Sequence, residues 1–186
     1  MSAGFAHLLS YAGGAAAYAV AGTAALVGLG VAAGWRPLAQ AWQILLVTLL
    51  FVSLTQHPFP DRSALACPVG AAAPNLHPFS FLGYLIHGWR RAPDLGAWLA
   101  QGQLLSVAMN FVLCAVIGAL LPRHRIGFGT ALLLGCGLSL AVELTQLTGI
   151  WGLYPCAYRK FDVDDLILNI LGVAAGYFAG RGVRRA

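Results

Sequence analysis

One acid in an apolar stretch constrains this chain more than any other feature. Glu143 is the only charged residue between Arg125 and Arg159, and it lies within the apolar run 126–147. Its surroundings have the composition of a membrane protein, with 59% hydrophobic and 9% charged residues. An ionisable side chain at that depth costs on the order of 2.5 kcal/mol or more, so it normally faces a bundle interior or a polar cavity and marks a functional site.

A span needs about 20 mostly apolar residues, because the hydrocarbon layer is about 30 Å thick and a helix rises about 1.5 Å per residue. Five stretches meet or nearly meet this: 11–33, 40–56, 98–121, 126–147 and 165–180. Backbone groups in lipid must bond within their own segment, so each stretch is expected to be helical. The expected class is all-α: a polytopic transmembrane helix bundle of about five spans, forming a single domain over residues 1–186. The second and fifth stretches are short, which places their ends in polar or interfacial surroundings.

Loop charge then orients the bundle. With five spans, Arg36, Arg123, Arg125, Arg181, Arg184 and Arg185 fall on one side, expected to be the cytoplasm, with the N-terminus outside. The rival groups Arg90/Arg91 and Arg159/Lys160 are accompanied by Asp94 and Asp162. Residues 1–35 carry no Lys or Arg, so the basic start of a signal peptide is missing and the first span is expected to be retained. The sequence pI near 9.3 reflects these topology charges. No aromatic-basic patch is present, so nucleic acid is not an expected partner and membrane lipids are.

The segment 57–94 is the longest non-spanning stretch and holds six of the nine prolines. From Pro78 onward Phe79, Leu82, Leu85, Ile86 and Trp89 recur at steps that predict an amphipathic helix lying in the interface. Cys114 and Cys136 fall within spans as packing residues. Cys67 and Cys156 fall in loops on the outer side, where an oxidising exterior permits a disulfide.

Three helices carry polar or small residues at helical spacing: Gln103, Ser106, Asn110, Cys114 and Gly118; then Ser139, Glu143 and Gln146; then Asp162, Asp165, Asn169, Gly172 and Gly176. Their convergence predicts one polar interior near the outer surface, with Arg159 and Lys160 as the available cations. Burial without a partner favours the neutral acid of Glu143, whereas a nearby Arg159 favours the carboxylate. A proton donor and a structural ion pair both stay open. Asp162, Asp164 and Asp165 invite a metal, with His57, His77 or His87 as further candidate ligands; the same acids start a helix, where negative charge is favourable. Neither metal nor other cofactor is expected, and no HExxH, CxxC pair, P-loop or GxSxG turn is present.

The C-terminal third carries a recognisable pattern. Val142-Glu143-Leu144-Thr145-Gln146, the run from Tyr158-Arg159-Lys160-Phe161-Asp162 through Asp165, Asn169 and Gly172, and Gly176-Tyr177 together resemble the VanZ-like family of bacterial membrane proteins. The family's E-x-x-Q, R-x-x-D-x-x-D and N-x-x-G are matched by Glu143, Gln146, Arg159, Asp162, Asp165, Asn169 and Gly172. Asn75-Leu76-His77-Pro78-Phe79 is similar to its N-L-x-P-F, and Asn110-Phe111 with Gly118 to its third-span asparagine and glycine. The similarity covers about residues 40–180. Ile117 stands where many members carry proline, and Cys156 is outside the pattern.

This resemblance implies a multi-pass protein of the bacterial cytoplasmic (inner) membrane. The family is named for a protein giving low-level resistance to teicoplanin, and the resemblance identifies no reaction. The leading expectation is an outward-facing pocket that engages an envelope lipid or lipid-linked glycan head group, with an effect on glycopeptide susceptibility. In it Arg159 meets a phosphate, Gln146 and Asn169 supply neutral hydrogen bonds, and Glu143 orients Arg159 or a sugar hydroxyl. Asn75, Asn110, Asp162 and Asp165 complete the candidate set. The alternatives are a membrane enzyme with Glu143 or Asp165 as general base, and a scaffold of an envelope-assembly complex.

Overall fold

The computed structural model describes residues 3–36, 40–56, 73–99 and 101–183. Among these residues the chain is helical, and its one β-type pairing is an isolated bridge between Asn75 and Asp162. The helices are α1 (Ala3–Ala32), α2 (Ala41–Leu54), α3 (Ser80–Arg91), the short α4 (Leu95–Leu99), α5 (Gly102–Leu120), α6 (Phe128–Leu147), the single turn α7 (Gly149–Gly152) and α8 (Val163–Val183). A 3-10 turn, Leu121–His124, closes α5. Four stretches are long and apolar enough to cross a membrane: Ala12–Ala32, Gly102–His124, Phe128–Leu147 and Val163–Gly182. Helix α2 is apolar but has 14 residues, so it runs about 21 Å at 1.5 Å per residue. The five expected stretches are five helices, the second of them short.

The most extensive pairing is α5 against α8, and glycine is its cause. Gly172, Gly176 and Gly180 bring α8 against the backbone carbonyls of Phe111, Ala115 and Ala119, while Gly118 of α5 meets the backbone of Val173. A Cβ at any of these would collide with main-chain atoms. Helices in lipid gain association energy by such close approach, since the hydrophobic effect does not favour one apolar neighbour over another. The small residues of two of the three stripes therefore form a packing seam below the polar groups. Tyr177 pins the far end of α8, its hydroxyl donating to Ile126 O at 2.9 Å. Leu54, Cys114, Val142 and Val173 form the apolar core between α2, α5, α6 and α8.

Helix α1 packs on α2, where the Thr23 and Thr48 hydroxyls lie 2.8 Å apart. Helix α3 is the amphipathic segment expected after Pro78, and it leaves Leu82, Ile86 and Trp89 exposed. The proline-rich stretch before it, with His57 and Cys67, lies outside the described residues. Cys156 is disulfide-bonded, and Cys114 and Cys136 are free thiols.

Candidate functional site

The site is built around the first residues of α8, and the polar stripes divide there into two kinds of work. Asp162 caps the helix: its backbone carbonyl accepts from Asp165 N at 3.2 Å, and its Oδ1 accepts from Asp164 N at 3.0 Å. Its own N–H donates to Glu143 Oε2 at 2.8 Å. Glu143 is 0% exposed, so the lone acid of the apolar run anchors the start of the neighbouring helix. Its second oxygen, Oε1, has no hydrogen-bond partner.

Asn75 ties the preceding loop to the same point. Its N–H donates to Phe161 O at 2.8 Å, its carbonyl accepts from Val163 N at 3.0 Å, and its Nδ2 donates to Asp162 Oδ1 at 2.9 Å. Two residues on, the Asp164 carboxylate accepts from Phe79 N at 2.5 Å and Phe81 N at 2.9 Å. An isolated helix start leaves such donors unpaired. Phe79 provides no side-chain cap of its own, so the acid of α8 serves as the cap of α3. In the sequence Asp164 is only one of three acids at a helix start. The missing cap before Ser80 was the available signal.

Arg159 joins three elements. Its Nη1 donates to Gln56 Oε1 at 2.6 Å, and its Nη2 lies 3.6 Å from Asp165 Oδ2. Lys160 Nζ is 3.7 Å from Asp162 Oδ2. Gln56, at the end of α2 with φ 45°, also reaches Ser106 Oγ at 3.5 Å. Sequence reasoning missed Gln56, because a glutamine ending an apolar span carries no distinguishing pattern. Asn110 of α5 is buried beside the Asp165 carboxylate.

Gln146 and Asn169 work as fasteners. Gln146 Nε2 donates to Leu54 O and Thr55 O, each at 3.2 Å, and Tyr158 OH donates to Thr55 O at 2.9 Å. Together they satisfy carbonyls freed at the C-terminus of α2. Asn169 Nδ2 donates to Ser139 Oγ at 2.9 Å, joining α8 to α6. Neither amide lines an open surface.

Outside this sealed network lies a cleft of about 320 Å³ lined by Gln103, Ser106, Arg159, Lys160, Asp162 and Asp165, with Phe81, Tyr84 and Leu85 of α3 along one side. Asp164 also borders it. Three aspartates outnumber the two cations, and each cation is within 4 Å of an aspartate oxygen. Arg159 is thus engaged by Gln56 and Asp165, unlike the free phosphate clamp expected from the sequence. Asp165 is the acid of the pair Glu143/Asp165 that borders the cleft, with 15% of its side chain exposed. Among the described residues, no group of three or more His, Cys, Asp or Glu side chains is arranged to hold a metal ion.

The model of the VanZ/LLP1 family matches residues 40–183, from just before α2 to the end of α8. No curated protein and no solved structure matches the chain. Every residue of the network around Glu143, Asp162 and Arg159 falls inside the matched region, and the helices it joins are those of a membrane-spanning bundle. The chain is a membrane protein of the VanZ/LLP1 family.

Proposed function

We propose that this protein binds the polar head group of an envelope lipid or lipid-linked glycan in the cleft between α3, α5 and the start of α8. The cleft faces outward from the bacterial cytoplasmic membrane, with the N-terminus outside and the C-terminus cytoplasmic. The single observation carrying this reading is an open cleft of about 320 Å³, lined by charged, amide and hydroxyl side chains beside apolar ones, at one end of an otherwise apolar bundle and beside an amphipathic helix. Arg36, Arg123, Arg125 and Arg181 gather at the other end, which supports the orientation.

The chemistry of the lining narrows the ligand. Asp162 and Asp165 accept hydrogen bonds, and Gln103 and Ser106 both donate and accept. A bare phosphate would meet Arg159 or Lys160 only by competing with their aspartates. Hydroxyl- or amine-bearing head groups, sugars above all, fit without that competition. An effect on glycopeptide susceptibility follows where the ligand is a cell-wall precursor.

Gln103→Leu/Ser106→Ala tests this directly, because both residues border the cleft and Ser106 meets the anchoring network only through the 3.5 Å contact from Gln56. Native mass spectrometry of protein extracted with its lipids should show at least a fivefold loss of the co-purifying lipid whose head group carries sugar or amine, with an unchanged melting temperature. Equal retention by wild type and variant would remove the head-group role.

A second reading, catalysis on a lipid-linked substrate, is favoured by the placement of Asp165 on the cleft beside Arg159 and Asn110. Asp165, rather than the enclosed Glu143, is then the general base. Turnover of purified lipid-linked substrates should vanish in Asp165→Asn; retained turnover would eliminate that role.

A further inference from the structure

The opposite end of the bundle carries a second feature that the cleft does not explain. A groove of about 380 Å³ runs between α1, α2 and the end of α5, with Leu26, Ile44, Val47 and Ile117 on its walls and His124 at its mouth. It continues into a recess of about 450 Å³ that shares Leu26, Gln40 and Ile44 and ends at Trp35 and Arg36. The walls are largely apolar, interrupted by Gln43 and Thr48, and the rim bears a guanidinium, an imidazole and an indole.

Charge around it is one-sided. Arg36, Arg123, His124, Arg125 and Arg181 are exposed at this end. The five acidic residues among those described, Asp94, Glu143, Asp162, Asp164 and Asp165, all lie at the other end. An apolar trough ending under exposed positive charge is complementary to one kind of molecule, an acyl chain carrying an anionic head. Juxtamembrane Lys and Arg attract anionic lipid, and a guanidinium takes phosphate oxygens in bidentate fashion.

We infer that the groove between α1, α2 and the end of α5 is a binding site for an anionic glycerophospholipid. One acyl chain lies along Leu26, Ile44, Val47 and Ile117, and the phosphate meets Arg36 and His124. Trp35 sits at the level where indoles favour the interface. The site is independent of the head-group cleft, which lies at the far end of the same helices.

The test uses the full chain in mild detergent, with phosphatidylglycerol and phosphatidylethanolamine of identical acyl chains supplied in equal amounts. Native mass spectrometry should show wild type preferring phosphatidylglycerol at least fivefold. Arg36→Ala/His124→Ala should bring the ratio near one, whereas Arg123→Ala/Arg125→Ala, off the groove, should leave most of the preference. Gln103→Leu/Ser106→Ala should keep it fully, which separates this site from the cleft. Excess glycerol phosphate should not compete. Parity in wild type, an unchanged ratio in Arg36→Ala/His124→Ala, an equal loss in the Arg123/Arg125 variant, or competition by glycerol phosphate would each overturn the inference.

Discussion

At the scale of single residues, carboxylates in this protein are spent on backbone donors. Glu143 accepts the N–H of Asp162, and Asp164 accepts those of Phe79 and Phe81. Hydrogen bonds to charged groups contribute about 1.5–3 kcal/mol each, and every 1.4 kcal/mol changes an equilibrium about tenfold. Asp164→Ala is therefore expected to release α3 from α8 and raise hydrogen exchange over residues 79–91 by at least about tenfold. Exchange in the middle of α5 and α8 should not change; unchanged protection in α3 would contradict the capping role. Glu143→Ala leaves a buried N–H unpaired, at a cost of about 1–3 kcal/mol, while Glu143→Gln keeps an acceptor oxygen and should melt close to wild type. Equal melting of the two variants would argue against the anchor. Glu143 was legible in the sequence as a special position, because a lone acid among apolar residues is a local signal. Its hydrogen-bond partner was not, since the backbone N–H of Asp162 at the start of α8 carries no residue signature.

At the scale of elements, apolar length was enough to read five helices, and the amphipathic steps after Pro78 were enough to read α3. Glycine spacing was harder to interpret. Gly118, Gly172 and Gly176 share faces with polar residues, and facing direction alone does not separate a cavity wall from a close contact. The seam settles it: Gly176 lies against the Ala115 carbonyl with no room for a Cβ. Gly176→Leu should force α5 and α8 apart, and overpacking of this kind costs about 1–3 kcal/mol or more. At about 2–4 °C per kcal/mol for a chain of this size, the melting temperature should fall by several degrees. Gly137→Ala, where a Cβ meets nothing within 4 Å, should be neutral or raise stability by up to about 1 kcal/mol. A Gly176 variant that melts like the Gly137 variant would contradict the seam. The turn α7 was illegible for another reason. Gly149, Ile150, Trp151 and Gly152 all have positive φ, and a β-branched residue such as Ile150 pays about 1–2 kcal/mol there. No local preference predicts that conformation, which directs the chain toward Tyr158 and Arg159.

At the scale of the whole molecule, the five described acids lie at one end, where Arg159 and Lys160 pair with them, and Arg36, Arg123, Arg125 and Arg181 lie exposed at the other. Cysteine placed at Arg125 should react with a membrane-impermeant maleimide only after the cytoplasmic face is opened, and cysteine at Arg91 should react in intact cells; the reverse pattern would invert the bundle. Alkylation with and without reductant tests whether Cys67 is the partner of Cys156. Alkylation of both Cys67 and Cys156 under oxidising conditions, in addition to the free Cys114 and Cys136, would remove that pairing. The measurement that bears most directly on the central claim is a density map of the wild-type protein in nanodiscs prepared from its native lipids. The account predicts an ordered head group in the cleft, in contact with Ser106, Gln103 and Asp165, while Glu143 stays enclosed against Asp162. A cleft closed by α3, or an ordered ligand in direct contact with Glu143, would contradict it.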